Sequence, residues 1–167
     1  MQRLNRPQVK LRDVVFVCVV LLVIIADQLS KIWIRASLDV GQAFSDVGFF
    51  RVLHVQNTGA AFGIFQGHSQ TLLIVISIGV VVLIAFVFLL RSRWASFDSM
   101  RLRVAIGLVV GGMIGNLIDR GRQGYVTDFL DFRVWPVFNI ADASAVFGAI
   151  IIAFCIITLA QPAKRRE

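Results

Sequence analysis

The stretch that decides the fold is Gly111-Gly112-Met113-Ile114-Gly115-Asn116-Leu117-Ile118-Asp119-Arg120, which begins in an apolar run and ends in an acid beside an arginine. Two later segments carry further acids and asparagines: Val126-Thr127-Asp128-Phe129 and Phe138-Asn139-Ile140-Ala141-Asp142, the second of which opens the last apolar run. Carboxylates at the edge of hydrocarbon are energetically costly and usually functional. The pattern therefore indicates a helical membrane protein with a functional site around Asp128 and Asp142.

Apolar runs dominate the chain, which has 167 residues and is 57% hydrophobic. The four longest lie at 14–26, 72–90, 104–118 and 143–160. At about 1.5 Å per residue, the second and fourth can cross a hydrocarbon core of about 30 Å, whereas the first and third need their polar neighbours at the ends. We therefore predict one all-α membrane domain with four transmembrane helices, at about 13–31, 70–90, 103–119 and 141–160.

The charges predict how these spans are oriented. Eleven of the seventeen basic residues lie in the two tails and the middle loop, and seven of the ten acids lie on the opposite side, in the first and third loops or at the adjoining span ends. Because Lys and Arg mark the cytoplasmic side, both termini are expected inside, with the acids near the outer face of the membrane. The net charge of +7 then reflects topology and anionic lipid, and no nucleic-acid partner is expected. The basic N-terminus and first apolar run also match a secretory signal, but no small-residue cleavage site follows, so we expect an uncleaved span.

The first outer loop, residues 39–68, is the longest stretch without a helical pattern. Its segment Phe49–Val55 is rich in residues that favour strands and is flanked by glycines, which predicts a short strand pair on the outer membrane surface. The following Asn57-Thr58-Gly59-Ala60-Ala61-Phe62-Gly63 sets small residues around one asparagine. Either it is a simple turn, or the backbone there approaches another part of the molecule closely.

Several polar residues have a structural interpretation beside a functional one. Gly107, Gly111 and Gly115 share one helical face and predict close helix packing, which does not cover Gly112. Asn139 and Asp142 are consistent with helix capping alone. In the same way, Asp119 and Arg120 are consistent with a helix-end ion pair. Asp27 and Lys31 form either a surface pair at i,i+4 or part of the site, and the sequence leaves both open.

The residues present exclude several reaction types. The two histidines, His54 and His68, both lie in the first outer loop without a His-Glu-x-x-His motif, so no metal site is expected. No nucleophilic-serine elbow and no phosphate-binding glycine loop is present, and no cofactor is expected. Carboxyl groups are then the remaining candidates for catalytic groups. Two partly desolvated carboxyl groups tend to share one proton, so that one can act as general base on a water while the other acts as general acid. This chemistry hydrolyses a peptide bond without a covalent intermediate.

In order along the chain, five motifs resemble those of the bacterial lipoprotein signal peptidases (signal peptidase II): Asp27-Gln28-Leu29-Ser30-Lys31, Asn57 to Phe62, Gly111 to Arg120, Val126 to Phe129 and Phe138 to Asp142. The resemblance implies an intramembrane aspartyl endopeptidase that cleaves prolipoproteins before the diacylglyceryl-modified cysteine, with Asp128 and Asp142 as the catalytic pair. It also implies a family fold of four transmembrane helices, a small extracytoplasmic β-element and a short flap helix. The supporting or substrate-binding residues that it implies are Asp27, Lys31, Asn57, Gly59, Gly111, Asn116, Asp119, Arg120, Phe138, Asn139 and Ala141.

The same resemblance implies the partners. The substrate is a prolipoprotein with a diacylglyceryl cysteine, the surroundings are membrane lipid, and the cyclic peptide antibiotic globomycin is expected to inhibit; a monomer is expected. Asp119 and Arg120 are expected to orient the site without reacting. A small proton- or ion-coupled transporter is the alternative function, although its acids are expected near the midplane of the spans rather than at their outer ends.

Overall fold

Four long helices and a two-stranded sheet make up the part of the chain that the computed structural model describes. This part is residues 11–44, 48–59, 67–93 and 99–160, with the backbone alone at 84, 86–93, 159 and 160. The elements are α1 (Leu11–Ser37), β1 (Arg51–Asn57), α2 (Ser69–Arg93), α3 (Met100–Gln123), β2 (Val126–Asp131) and α4 (Ile140–Ala160). The predicted fold class, a helical membrane protein with a small β-element, is confirmed.

Among the described residues, three helices are long and apolar enough to cross a bilayer: Leu11–Ser37, Met100–Gln123 and Ile140–Thr158. The apolar part of α2 with described side chains, Ser69–Leu83, is shorter. Large apolar side chains face outward on α1, α2 and α4, as hydrocarbon surroundings require, and Leu22, Ile78 and Ile150 are examples.

The helix α3 contacts each of the other three helices, and its glycines permit close approach. A Cβ atom at Gly111 would lie 2.8 Å from the Cβ of Val23 in α1, so the glycine face predicted from four-residue spacing packs on α1. Gly112 faces α4 instead, since a Cβ there would collide with the carbonyl oxygen of Ala141. Two different faces of α3 therefore hold α1 and α4.

The sheet draws its strands from two distant segments. β1 and β2 pair antiparallel, with Val55 opposite Asp128 and Asn57 opposite Val126. The strand pair expected within the first outer loop is present in short form, because residues 41–44 bond to 52–54 and Ala43 bridges Leu53. The second partner, β2, was not predicted.

An apolar cluster joins the sheet to the outer ends of the helices. Ile34 of α1 and Leu38, just beyond the end of that helix, pack with Phe129 of β2, and Val52, Leu130 and Ile140 surround them. This cluster fixes β2 against α1 and the start of α4, so the strand carrying Asp128 is held by burial of apolar surface.

Some sequence predictions concern residues outside the described ranges: the basic tail before position 11, the Ala60–Phe62 motif segment, part of the middle loop at 94–98 and the tail from 161. The described parts of the first outer loop, 39–44, 48–59 and 67–68, contain no flap helix. The remaining residues of that loop lie outside the described ranges.

Candidate active site

Asp142 lies in the first turn of α4 and takes part in a reciprocal cap. The backbone N–H of Asp142 donates to Asn139 Oδ1 at 2.9 Å, and the backbone N–H of Asn139 donates to Asp142 Oδ2 at 3.3 Å. This is the capping-box arrangement, which satisfies two amide groups that the helix leaves without intrahelical partners. The position of the Asp142 carboxylate is therefore fixed by the same bonds that start α4.

Asp128 is brought to Asp142 because the segment between them folds back. Phe138 and Leu130 exchange backbone hydrogen bonds of 3.0 Å and 2.8 Å, which returns the chain beside β2 before α4 begins. Asn139, the next residue, then donates from Nδ2 to Asp128 Oδ1 at 2.7 Å. One fully buried asparagine thus binds both acids.

The second oxygen of Asp128 is bound from β1. Asn57 Nδ2 donates to Asp128 Oδ2 at 2.9 Å, a diagonal pair on one face of the sheet. The orientation of this amide is fixed because the backbone N–H of Gly59 donates to Asn57 Oδ1 at 2.9 Å. Arg120 of α3 in turn donates to the carbonyl oxygen of Gly59 at 2.7 Å. The Asn57–Gly59 segment is therefore a turn held close to Asp128 and to Arg120.

Asp142 has a matching asparagine on α3. Asn116 Nδ2 donates to Asp142 Oδ1 at 2.7 Å, while Asn116 Oδ1 accepts from Lys31 Nζ at 2.8 Å. Lys31 is completely buried and pairs with Asp27 at 2.8 Å and Asp119 at 3.4 Å. The alternative left open by the sequence is thereby decided: Asp27 and Lys31 form a buried pair inside the bundle.

Asp119 joins three elements at the outer end of α3. Its Oδ2 accepts the backbone N–H of Thr127 in β2 at 3.0 Å, and its ion pairs reach Lys31 and Arg35, both on α1. Arg35 also donates to Thr127 Oγ1 at 2.9 Å. Asp119 thus positions β2, and with it Asp128, relative to the helices.

Burial has a direct effect on the pKa of Asp128, which is only 2% exposed. Desolvation first, and the neighbouring charge of Asp142 second, raise this pKa from 3.8 to about 7. Hydrogen bonds from Asn57 and Asn139 and the charge of Lys31 act in the opposite direction. Asp128 therefore holds a proton up to about neutral pH.

The charges of the described side chains around the pair also indicate that one carboxyl group is protonated. Three cations face four carboxyl groups here, so the cluster is electrically neutral when one carboxyl group is protonated. The cations are Lys31, Arg35 and Arg120, and the acids are Asp27, Asp119, Asp128 and Asp142. Since isolated charge is costly away from water, a single shared proton is the favoured state.

Two residues that the resemblance implied lie away from the carboxyl pair. Gly111 packs against α1, and Phe138 contributes backbone bonds to β2 and stacks its ring on Phe132 at 5.9 Å. Ala141 is buried and donates its backbone N–H to Asp27 Oδ1. Gln28 and Thr127 stand in the quoted motifs without a predicted role, and Arg35 was not predicted from the sequence, yet all three bind the cluster. The helical spacing of Asp27, Lys31 and Arg35 is a signal that indicates Arg35.

Within the described ranges, no three His, Cys, Asp or Glu side chains are grouped so that they could hold a metal ion. The chemistry that this arrangement supports is proton transfer between two carboxyl groups and a water, at the outer ends of apolar helices. The fold and the carboxyl pair define the class of this protein as a membrane-embedded hydrolase of the aspartic type.

Comparison with known proteins gives the family. The family model "Signal peptidase (SPase) II" matches residues 19–158. A lipoprotein signal peptidase of Moorella thermoacetica is 44% identical over 140 residues, which are 83% of this chain and 90% of that protein. One from Dehalococcoides mccartyi strain 195 is 43% identical over 135 residues, covering 81% and 84%. This chain belongs to the signal peptidase II family.

Solved structures agree with this assignment. A bacterial membrane enzyme determined by the in meso method at 2.3 Å superposes with a TM-score of 0.79 and 30% identity, covering 91% of this chain and 93% of that one. A second, at 1.9 Å, gives a TM-score of 0.72 and 31% identity over 89% and 94% of the two chains. The protein is therefore a multi-pass membrane peptidase, and the transporter alternative is not favoured.

Proposed function

We propose that this protein removes the signal peptide from diacylglyceryl-modified prolipoproteins, cleaving before the lipidated cysteine, with Asp128 and Asp142 as the catalytic pair. The observation that carries the proposal is the sharing of Asn139 by the two carboxyl groups. The raised pKa of Asp128, about 7, supplies the proton that such a pair needs at neutral pH. The family relationship supports prolipoproteins as the substrate class.

The reaction requires one ionised and one protonated carboxyl group. The ionised group removes a proton from a water, whose oxygen attacks the carbonyl carbon of the scissile bond, while the protonated group gives its proton to the carbonyl oxygen. The resulting tetrahedral intermediate then collapses: its C–N bond breaks as the leaving nitrogen takes up the proton that came from water, and a hydroxyl group of the intermediate returns its proton to the other carboxylate as the carbonyl reforms. No covalent bond to the enzyme forms, and the pair returns to its starting state.

The neighbouring residues orient this chemistry. Asp119 holds the backbone of Thr127, the residue before Asp128, and Arg120 holds the carbonyl oxygen of Gly59. Both act on backbone that carries or adjoins the carboxyl pair, so we assign them an orienting role without a reaction step. Misplacement of the pair by about 1 Å is enough to lower the rate about 100-fold.

The membrane supplies the remaining specificity. We assign the spans to residues 13–31, 70–90, 103–119 and 141–160 of a single domain, with both termini cytoplasmic and the site near the outer face of the bacterial inner membrane. Two acyl chains hold the substrate in the bilayer, with its scissile bond near the outer headgroups. Binding energy from these remote chains can position the bond at the carboxyl pair.

Two further properties belong to the proposal. The enzyme acts as a monomer, and both acids and their asparagines come from one chain, so the carboxyl pair needs no residue from a second copy. Globomycin inhibits it, as expected for the family that the motifs resemble. Inhibition of cleavage by globomycin and a monomeric mass in detergent check these two properties.

The decisive experiment measures cleavage of a diacylglyceryl-modified prolipoprotein by the purified protein in lipid or detergent. Asp128→Asn and Asp142→Asn are each expected to lower kcat by about 1000-fold, because each removes one proton-transfer group. Asp131→Asn is the matched control. Asp131 is also a buried acid of β2, but it pairs with Arg51 at the other end of the strand.

Three results contradict parts of the proposal. An inactive wild type on lipidated substrate removes the assigned reaction. Full activity of a folded Asp128→Asn or Asp142→Asn variant removes that residue from the catalytic pair. A loss for Asp131→Asn as large as for the other two indicates that any charge change in β2 disrupts the fold.

A further inference from the structure

Lys31 is a buried cation whose protons are all accounted for. Its ammonium group lies 2.8 Å from Asp27 Oδ2, 3.4 Å from Asp119 Oδ2 and 2.8 Å from Asn116 Oδ1. An ammonium group has three protons, so two go to carboxylates and one to an amide oxygen. The bond from Lys31 to Asn116 links the ion pairs of Lys31 to Asp142, because Asn116 also donates to Asp142.

The bond from Lys31 fixes which way the amide of Asn116 points. Asn116 Oδ1 accepts from Lys31 and, at 3.1 Å, from Asn139 Nδ2. With its oxygen between two donors, the amide must turn Nδ2 toward Asp142, which it reaches at 2.7 Å. A flipped amide would set N–H groups against the ammonium and a carbonyl oxygen against a carboxylate, and both contacts are repulsive.

Asp142 consequently lies in surroundings that stabilise its charge. Both of its oxygens accept N–H groups, from Asn116 and from the backbone of Asn139. It also sits in the first turn of α4, where the helix dipole favours an anion. Asp128, by contrast, lies on a strand.

The charged groups around Asp142 come from three other elements. Arg120 of α3 and Asp128 of β2 interact electrostatically with Asp142. The ion pairs beside them are formed by Asp27, Lys31 and Arg35 of α1 and Asp119 of α3. Lys31 is paired with both Asp27 and Asp119, and Arg35 is paired with Asp119, while the charge of Arg120 interacts with both carboxyl groups of the pair. A water-activating role therefore suits Asp142.

We infer that Lys31 is a positioning residue for the carboxyl pair: acting through Asn116, it holds the Asp142 carboxylate in place, so Asp142 takes the proton from water and Asp128 donates its proton to the substrate. This inference rests on the proposed function and deepens it by assigning the two roles. Lys31 itself touches no reacting atom in this mechanism.

A double-mutant cycle tests the link between Lys31 and Asn116. Lys31→Met and Asn116→Ala are each expected to lower kcat by about 10- to 100-fold with little change in KM. If Lys31 acts through Asn116, the lysine substitution lowers kcat by less than about threefold further in the Asn116→Ala background. If the kcat loss of the double variant equals the product of the two single losses, the inference is overturned, because Lys31 and Asn116 then act independently.

The pH dependence of kcat provides a readout that a purely structural lysine would not change. Lys31→Met and Asn116→Ala are both expected to move the acid limb, and by the same amount, because each breaks the same chain of hydrogen bonds to the carboxyl pair. Arg35→Met is the matched control: Arg35 also pairs with Asp119, at 3.5 Å, but its described bond goes to Thr127. Its acid limb is expected to move less than in Lys31→Met, because Arg35 makes no bond to Asn116, and an equal shift would show a nonspecific charge effect.

Removal of a buried cation can prevent folding, so thermal unfolding of each variant is measured first. Asn116→Ala leaves Lys31 between Asp27 and Asp119 and keeps the test available if Lys31→Met does not fold. An unshifted acid limb in Asn116→Ala contradicts the inference by itself. A wild type that fails to cleave contradicts the proposed function instead, so the two failures are distinguishable.

Discussion

Asp27 of the first helix accepts the backbone N–H of Ala141 at 3.0 Å, so a residue of α1 caps the start of α4, which follows 114 positions later. The first amide groups of any helix lack intrahelical partners, and a carboxylate at that end is favoured by the helix dipole. The other oxygen of Asp27 pairs with Lys31 at 2.8 Å. Asp27 therefore determines where α4, and with it Asp142, sits relative to α1.

Asp27→Ala is expected to destabilise the protein by about 3 kcal/mol, because it leaves Lys31 buried with one partner fewer and Ala141 without its acceptor. Thermal or denaturant unfolding in detergent measures this loss. Asp27→Asn retains an oxygen for Ala141 and should lose less. Asp39→Ala, at an exposed acid just beyond α1, is the control and should change stability by less than about 0.5 kcal/mol. Equal stability of Asp27→Ala and wild type would show that the cap is dispensable.

Gly112→Ala should be among the most damaging small substitutions in the chain. A Cβ at this position collides with the carbonyl oxygen of Ala141, and backbone cannot move aside as a side chain can. The expected result is separation of α3 and α4, with loss of about 1–3 kcal/mol and of most activity. Cleavage assays and unfolding curves on the purified variant measure both effects.

The control for this substitution lies on the same helix. A Cβ at Gly121 meets nothing within 4 Å, so Gly121→Ala should retain activity and should be as stable as wild type or more so, since alanine favours helix. If Gly112→Ala behaves like Gly121→Ala, α4 can shift along α3 without cost. That outcome would remove the close contact as a constraint on the site.

Local patterns predicted much of the helical framework and of the polar cluster. The apolar runs correspond to α1 to α4, and four-residue spacing of glycine correctly indicated a face of α3 that packs on another helix. Helix-start chemistry gave the cap by Asn139 at Asp142. These features depend on residues close together in sequence, where period and spacing carry the information.

Long-range pairing was not predictable in the same way. β2 is a six-residue strand beside a helix end, and its partner β1 lies about seventy positions earlier, so nothing local indicated the pairing. The direction in which Gly112 faces and the bond from Asp27 to Ala141 also depend on how helices pack. Arg35 was missed because α1 continues to Ser37, beyond the predicted end of the first span at 31.

The raised pKa of Asp128 predicts the alkaline limb of the activity profile. Because the protonated form is the active one, kcat should fall as pH rises through about 7. Asn57→Ala removes a hydrogen bond that lowers this pKa, so the alkaline limb should move to higher pH. Initial rates of prolipoprotein cleavage across the pH range measure the alkaline limb of wild type and of Asn57→Ala. Because the two carboxyl groups are coupled, the limb is assigned to the pair as a whole.

Gln56→Ala is the control for Asn57→Ala, because Gln56 is the neighbouring strand residue and is exposed. Its alkaline limb should coincide with that of wild type. A limb that moves to lower pH in Asn57→Ala would contradict the assignment, since it would mean that the amide stabilises the protonated form of Asp128.

The same pKa makes stability depend on pH in a direction opposite to that of most paired acids. The unfolded chain releases this proton near pH 3.8, whereas folded Asp128 retains it to about 7. Proton binding therefore favours the folded state, fully below 3.8 and progressively less as pH rises through 7. Asp128→Asn resembles the protonated acid in shape and lacks this dependence. Between pH 5 and 8, about the range in which the proton is lost, wild-type Tm should fall relative to that of Asp128→Asn.

Asp131→Asn separates this effect from a general one. Hydrogen bonds from the backbone of Arg133 and from Arg51 lower the pKa of Asp131, so its contribution to stability is complete above its unfolded value and is lost only as pH falls. Its Tm should run parallel to that of wild type between about pH 5 and 8. A wild-type Tm that falls no more than that of Asp128→Asn over this range would show that Asp128 is already ionised in the folded protein. The carboxyl pair would then lack the proton that its chemistry requires.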